Sequence, residues 1–100
     1  MAFIRGSDFT PDPMPRSQHG DAYDEMIRLL VSRRKAAGMT QAELAAKLKK
    51  PQPFISKIER KVRRVDVVEF IVVARAIGES PEEMFAELIG RLPKRLEIEV

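Results

Sequence analysis

Basic side chains are the residues of this sequence with the most evident chemistry, and they are concentrated in the middle of the chain. Residues 28 to 64 contain twelve lysines and arginines but only two acids, Glu43 and Glu59, which gives a net charge of +10. The flanking segments carry −3 (residues 1 to 27) and −4 (residues 65 to 100), so the whole chain is only +3. Because a solvated surface ordinarily mixes its signs, this block predicts a polyanionic partner, and nucleic acid is favoured over an acidic protein.

Side chains suited to catalysis or metal binding are scarce. Ser56 lies in the basic segment, but no G-x-S-x-G elbow surrounds it, and the single histidine, His19, is far away in the sequence. The acidic pairs Asp24-Glu25 and Glu82-Glu83 suit the positive ends of helices better than they suit a catalytic dyad. The chain also has no cysteine and no glycine-rich phosphate loop. We therefore predict that the protein is not an enzyme and uses neither a metal nor a cofactor.

The length and composition predict a single cytoplasmic domain. One hundred residues with 44% hydrophobic content form one domain with a modest core. The lack of cysteine suits a reducing compartment. No apolar run approaches the roughly 18 residues that span a bilayer, and the N-terminus lacks a secretory signal. We expect no membrane partner and, if the polyanion is DNA, association with the nucleoid.

The pattern of apolar residues divides the chain into three parts and predicts an all-α fold. Residues 1 to 20 are proline-rich and lack periodicity, so they are predicted to form a flexible N-terminal arm. Residues 21 to 90 show helical periodicity throughout and form the folded domain. Residues 91 to 100 form a short C-terminal tail, in which apolar and acidic side chains alternate as in a β-strand.

Five helices are predicted in the folded domain. They run from Tyr23 to about Ala37, from Gln41 to Leu48, from Gln52 to about Arg60, from Val67 to Ile77, and from Pro81 to a stop at Gly90 and Pro93. Most of the boundaries have a recognisable cap or stop residue. These are Gly38, the T-x-x-E capping box of Thr40 and Glu43, Asp66, Gly78 and Ser80.

The second and third predicted helices have the form of a helix-turn-helix. They are short, three residues separate them, and the small Ala45 lies at their closest approach. Apolar residues on both helices are spaced to hold the pair nearly perpendicular: Leu44, Leu48, Ile55 and Ile58. The first residues of the third helix are then free to project from the domain.

Two segments of this unit resemble a known family. Gly-Met-Thr-Gln-Ala-Glu-Leu-Ala (residues 38 to 45) and Phe-Ile-Ser-Lys-Ile-Glu-Arg (residues 54 to 60) resemble the phage-repressor and Xre family of five-helix DNA-binding domains. The resemblance covers about residues 23 to 90. It implies a sequence-specific transcriptional regulator that inserts its third helix into the major groove of double-stranded DNA. It also implies a structural salt bridge between Arg34 and Glu59.

The resemblance assigns roles to the residues around the third helix. The side chains nearest the bases are Gln52, Phe54, Ser56 and Lys57. Gln52 can pair with the edge of an adenine and Lys57 with guanine O6 and N7, although both residues are also compatible with a simply solvated helix face. Phe54 either touches a thymine methyl or folds back into the core. Phosphate contacts are predicted for Gln41, Lys50, Arg60, Lys61, Arg63 and Arg64. The last four directly follow the third helix, although such a cluster is also compatible with a solvated basic loop.

Four positions depart from the family pattern. Lys49 and Lys61 stand where the family usually has glycine, at sites where a left-handed backbone is common, and each lysine should cost on the order of 1 kcal/mol there. Pro51 replaces the usual N-cap hydroxyl, and Pro53 removes a polar side chain from a position that often reads a base. These changes affect the details of DNA readout rather than the fold.

One helix-turn-helix reads too few base pairs to select a site, so we predict a homodimer on a palindromic operator. The candidate dimer surfaces are the fifth helix and the tail from Leu96 to Val100, pairing with its symmetry mate. Repression is the predicted outcome of binding. Two alternatives stay open: an antitoxin-type regulator that also binds a partner protein through its acidic termini, and a helical adaptor that does not bind DNA.

Overall fold

A computed structural model describes residues 20–96 of the chain. These residues form five α-helices and, within the same range, no β-strand. The helices are α1 (Gly20–Ala36), α2 (Gln41–Lys47), α3 (Gln52–Glu59), α4 (Val67–Ile77) and α5 (Pro81–Arg91). The predicted all-α, five-helix fold is confirmed. Apart from Gly20 and Leu96, the predicted arm (residues 1 to 20) and the predicted tail strand (residues 96 to 100) lie outside the described residues.

Side-chain caps explain where α2 and α4 begin. The Thr40 hydroxyl accepts from the Glu43 amide at 3.0 Å, and the Glu43 carboxylate accepts from the Thr40 amide at 2.8 Å. Asp66 and Glu69 form the same reciprocal box at the start of α4, with distances of 2.8 and 3.1 Å. Each cap satisfies amides that the helix itself leaves unpaired, a contribution of about 1 kcal/mol. The sequence predicted Asp66 as the cap but missed Glu69 as its partner.

The first four helices all end in a left-handed turn. The turn residue is a glycine after α1 and α4, where Gly38 has φ 73° and Gly78 has φ 97°. After α2 and α3 it is a lysine, with φ 58° at Lys49 and φ 64° at Lys61. The amide that follows Lys49 donates back to the Ala45 carbonyl at 2.9 Å, as in a Schellman motif. The left-handed conformation expected at the two lysines is therefore present.

The end of α5 differs from the prediction. Gly90 lies inside the last turn of the helix, which continues to Arg91. Leu92 then adopts an extended conformation (φ −93°, ψ 152°) directly before Pro93. Because a proline ring disfavours helical backbone in the preceding residue, Pro93 ends this helix and Gly90 does not.

Every helix contributes to a single apolar core. Its buried side chains are Ile27, Leu29, Leu30, Leu44, Ala45, Ile55, Ile58, Phe70, Val73, Ala74, Ile77, Met84 and Leu88. Ala45 is only 1% exposed and lies where α2 packs against α3, so a larger side chain there would separate the two helices. α1 packs against α3, α4 and α5, and α4 contacts both α2 and α5. The core thus fixes α3 relative to the rest of the domain.

Among residues 20–96, no helix has the length and apolar content that crossing a bilayer requires.

Candidate nucleic-acid interface

A buried ion pair anchors α3 to α1. Arg34 is 7% exposed, and its Nε and Nη2 atoms lie 2.6 and 3.0 Å from the two carboxylate oxygens of Glu59. Its third nitrogen, Nη1, donates to the Met39 carbonyl at 2.7 Å, in the turn before α2. The ion pair implied by the family resemblance is therefore present, and it holds α1, the α1–α2 turn and α3 together.

Hydrogen bonds extend from this ion pair to the surface of α3. The Gln41 Nε2 atom donates to Glu59 Oε1 at 2.7 Å, and the Gln41 Oε1 atom accepts from Gln52 Nε2 at 2.8 Å. Gln52 is exposed on the first turn of α3. The buried charge thus orients Gln41, and Gln41 in turn orients Gln52.

The other polar residues of α3 have simpler surroundings. The Ser56 hydroxyl donates to the Pro53 carbonyl at 3.3 Å. Lys57 is exposed, and among residues 20–96 no carboxylate lies within 4.0 Å of its ammonium group. Pro51 is the N-cap residue of α3 and, unlike Thr40 and Ser80, makes no side-chain cap bond.

Phe54 packs on the core side of α3. Its ring is half-buried against the core and lines a groove with Leu48, Val68 and Val73. The Arg63 guanidinium carbon lies 4.6 Å from the ring centroid, and Lys50 Nζ lies 5.6 Å from it. Of the two positions left open by the sequence, the structure has the ring turned toward α4.

The basic loop after α3 splits into two groups. Lys61 Nζ lies 3.0 Å from Asp24 Oδ1 on α1, and the Arg63 guanidinium binds both oxygens of Glu69. Arg60 is exposed and Arg64 stacks over the Tyr23 ring at 4.3 Å; neither has a carboxylate within 4.0 Å in the described part of the chain. No local sequence pattern predicted the ion pairs of Lys61 and Arg63, because their partners lie on other helices.

The resulting surface is strongly positive. Of the eight lysines and arginines between residues 47 and 64, six have no carboxylate within 4.0 Å among the described residues. These six are Lys47, Lys49, Lys50, Lys57, Arg60 and Arg64. We call the surface formed by α2, α3 and the loop to residue 64 the helix-turn-helix face. Its unneutralised cations and the exposed amide of Gln52 are suited to phosphates and base edges.

The opposite pattern holds where α1 meets α5, which we call the α1–α5 face. Arg91 lies 2.7 Å from Glu87 and 3.7 Å from Glu25, and Arg33 lies 3.0 Å from Glu79. Two further contacts, Arg33 with Glu87 and Arg28 with Glu25, complete a chain of alternating charges. On this face Arg28, Arg33 and Arg91 are each paired with carboxylates of the protein itself.

Comparison with known proteins agrees with this geometry. The family model described as Helix-turn-helix matches residues 30–84. A solved structure described as an XRE-family like protein, from Pseudomonas syringae pv. tomato str. DC3000, is similar, with 44% sequence identity and a TM-score of 0.71 over 75% of this chain and 92% of that chain. No curated protein matches the chain. The family match spans more than half of the sequence and includes all of α2 and α3. The chain therefore belongs to the Xre-type, phage-repressor-like helix-turn-helix family, and it is a DNA-binding transcription regulator.

Proposed function

We propose that the protein is a repressor that binds a palindromic operator as a homodimer and reads each half-site with α3. The observation that carries the proposal is the Gln52 amide, held by Gln41 on an exposed helix whose cations lack internal partners. DNA as the partner implies action in the cytoplasm, on the nucleoid.

Donor and acceptor accounting supports adenine as the base read by Gln52. The Nε2 group has two N–H donors, and one of them binds Gln41 at 2.8 Å. One donor and the carbonyl oxygen are left, and the major-groove edge of adenine requires one donor for N7 and one acceptor for the N6 amino group. Gln41 also keeps one free donor: one N–H of its Nε2 group binds Glu59, and the second can bind a phosphate.

The unneutralised cations fit the remaining contacts. We assign Lys57, one turn beyond Pro53, to a guanine edge, with Ser56 beside it. Lys50, Arg60 and Arg64 are the phosphate contacts that require no internal ion pair to be broken.

A second copy of the chain fits the exposed apolar side of α5. Phe85 and Ile89 are 49% and 56% exposed, and four residues apart they lie on one side of the helix. Leu96, at the start of the proposed tail strand, is 54% exposed. Burying these side chains between two copies removes apolar surface from water and places two α3 helices on one duplex.

Selection from a random-sequence duplex library tests DNA readout. We expect enrichment of a two-fold symmetric sequence and, at about 150 mM salt, fluorescence anisotropy should show binding at least about a thousandfold tighter than to a shuffled control. Equal, weak binding to both duplexes contradicts the proposal; if a second protein then co-purifies with the chain, the antitoxin-type alternative is favoured.

Light scattering tests the dimer. Replacing Phe85 and Ile89 together with serine should give a monomer, whereas Val62→Ser, at a residue 63% exposed in the basic loop, should leave the dimer intact. Truncation after Leu92 tests the tail separately. A truncated chain that is still a dimer would restrict the interface to α5.

A further inference from the structure

Glu69 and Arg63 form a tightly organised ion pair at the edge of the helix-turn-helix face. Arg63 Nη2 lies 2.8 Å from Glu69 Oε2, and Nη1 lies 3.1 Å from Oε1. Nη1 also donates to the Arg64 carbonyl at 3.1 Å. Three of the five guanidinium N–H donors are therefore used inside the protein, in the planar two-pronged geometry that only arginine provides.

The carboxylate of this pair is itself held in place. Glu69 Oε1 accepts from the Asp66 amide at 3.1 Å, and the Glu69 amide donates to Asp66 at 2.8 Å, so the capping box of α4 fixes the side chain. Hydrogen bonds from Arg63, and then from the Asp66 backbone, hold the pKa of the Glu69 carboxyl below its ordinary value, so it is ionised near neutral pH.

The guanidinium lies over a residue of α3. Its central carbon is 4.6 Å from the centroid of Phe54, within the range of a cation–π contact. Phe54 belongs to the same first turn as Gln52, and this turn has no side-chain cap because Pro51 occupies the N-cap position. The stack of Glu69, Arg63 and Phe54 thus ties the uncapped start of α3 to the capped start of α4.

We propose that Arg63 and Glu69 are positioning residues for DNA readout, which fix the first turn of α3 through Phe54, and that Arg63 does not neutralise a phosphate. The inference rests on the proposed function, since it concerns how Gln52 is presented to DNA. It replaces the phosphate contact predicted for Arg63 from the sequence.

The substitution Glu69→Gln separates the two roles by the sign of its effect. If Arg63 clamps a phosphate, removal of the competing carboxylate frees it and strengthens binding. If Arg63 positions Phe54, the same substitution weakens binding to the selected duplex by about two- to fivefold, the value of one exposed cation–π contact. Glutamine retains the N3 role in the capping box, so α4 keeps its cap.

The salt dependence of binding to the selected duplex gives a second readout. We expect Arg63→Gln and Arg63→Lys to weaken binding alike, because lysine keeps the charge but loses the planar fork. Neither should change the slope of log K against log salt, whereas Arg60→Gln, the matched control, should lower its magnitude by about 0.9. Thermal unfolding of each variant should show that it folds.

Two results would overturn the inference. One is equal or tighter binding by Glu69→Gln; the other is wild-type binding by Arg63→Lys together with a loss of about 0.9 in slope for Arg63→Gln. Failure of the proposed function is distinguishable, because the wild-type chain and Arg60→Gln would then show no selective, salt-dependent binding at all.

Discussion

The helix-turn-helix face and the α1–α5 face both contain several basic side chains, but the surroundings of these side chains differ. On the α1–α5 face, Arg33 and Arg91 each contact two carboxylates. On the helix-turn-helix face, six of eight cations have no carboxylate within 4.0 Å in the described range. Under the proposed function, the cations of this fold have two uses: those paired with carboxylates hold helices together, and the unpaired ones are available to DNA.

The same contrast recurs at two residues with the same backbone conformation. Lys49 and Lys61 both follow a helix with positive φ. Lys61 reaches Asp24 at 3.0 Å, but Lys49 meets no carboxylate within 4.0 Å among the described residues. We infer that a different interaction offsets the backbone strain at each lysine. At Lys61 it is the ion pair with Asp24, and at Lys49 it is attraction to DNA.

The substitution expected to destabilise the protein most is at the buried ion pair that joins α1 to α3. Arg34→Ala leaves Glu59 charged and nearly buried, so we expect the free energy of unfolding to fall by about 3 kcal/mol. Urea denaturation measures this. The control Arg28→Ala removes an exposed cation of α1 and should cost less than about 1 kcal/mol. Equal effects of the two substitutions would contradict the structural role of Arg34.

The next substitution should affect DNA readout and leave the stability of the protein unchanged. Lys57→Ala should lower discrimination between the selected duplex and a variant in the contacted base pair by about 1–3 kcal/mol, with an unchanged melting temperature. Arg91→Ala, on the α1–α5 face, is the control and should leave DNA affinity unchanged. If both substitutions weaken binding equally, internal neutralisation does not distinguish the two faces.

Glycine substitutions at the two lysines with positive φ test whether the lysines have different roles. Lys49→Gly should raise the free energy of unfolding by about 1 kcal/mol because glycine adopts positive φ without strain. It should also weaken DNA binding. Lys61→Gly gains the same relief but loses the ion pair with Asp24, so its net stabilisation should be smaller and its DNA affinity unchanged. The reverse pattern of DNA affinities would refute the assignment of the two lysines.

The smallest effect is a dependence of stability on pH. The pKa of Glu69 is lowered in the folded protein, chiefly by hydrogen bonds from Arg63, so the ionised carboxylate stabilises the fold at neutral pH. This contribution is present above the ordinary pKa of 4.5 and is lost as the pH falls below it. We therefore expect Glu69→Gln to melt below the wild type near pH 7 and the difference to shrink in acid. A difference independent of pH would exclude the ion pair as its cause.

Local signals accounted for most of the fold. Thr40 with Glu43, Asp66, and the stop residues Gly38 and Gly78 act within a few residues of the chain, so their sequence pattern predicted the helix boundaries. Gly90 was misassigned because a glycine inside a helix near its end resembles a stop, whereas the backbone before Pro93 decides where α5 ends.

The candidate site was only partly predictable. The family resemblance predicted which residues of α3 lie nearest the bases, and it predicted the ion pair between Arg34 and Glu59. The link from Gln41 to Gln52 and the stack of Arg63 on Phe54 depend on side-chain positions across separate helices, which no local pattern encodes. One sequence signal for the position of the Glu69 carboxylate was present but was missed: Asp66 and Glu69 have the same spacing as the capping box of α2.

Titration of the selected duplex into the isotopically labelled protein, followed by amide NMR, tests most directly whether the unneutralised face is the DNA-binding face. We expect the largest shifts at Gln41, Gln52, Lys57 and Arg60, and small shifts at Glu25, Glu87 and Arg91. Shifts concentrated on the α1–α5 face, or spread evenly over both faces, would contradict this assignment.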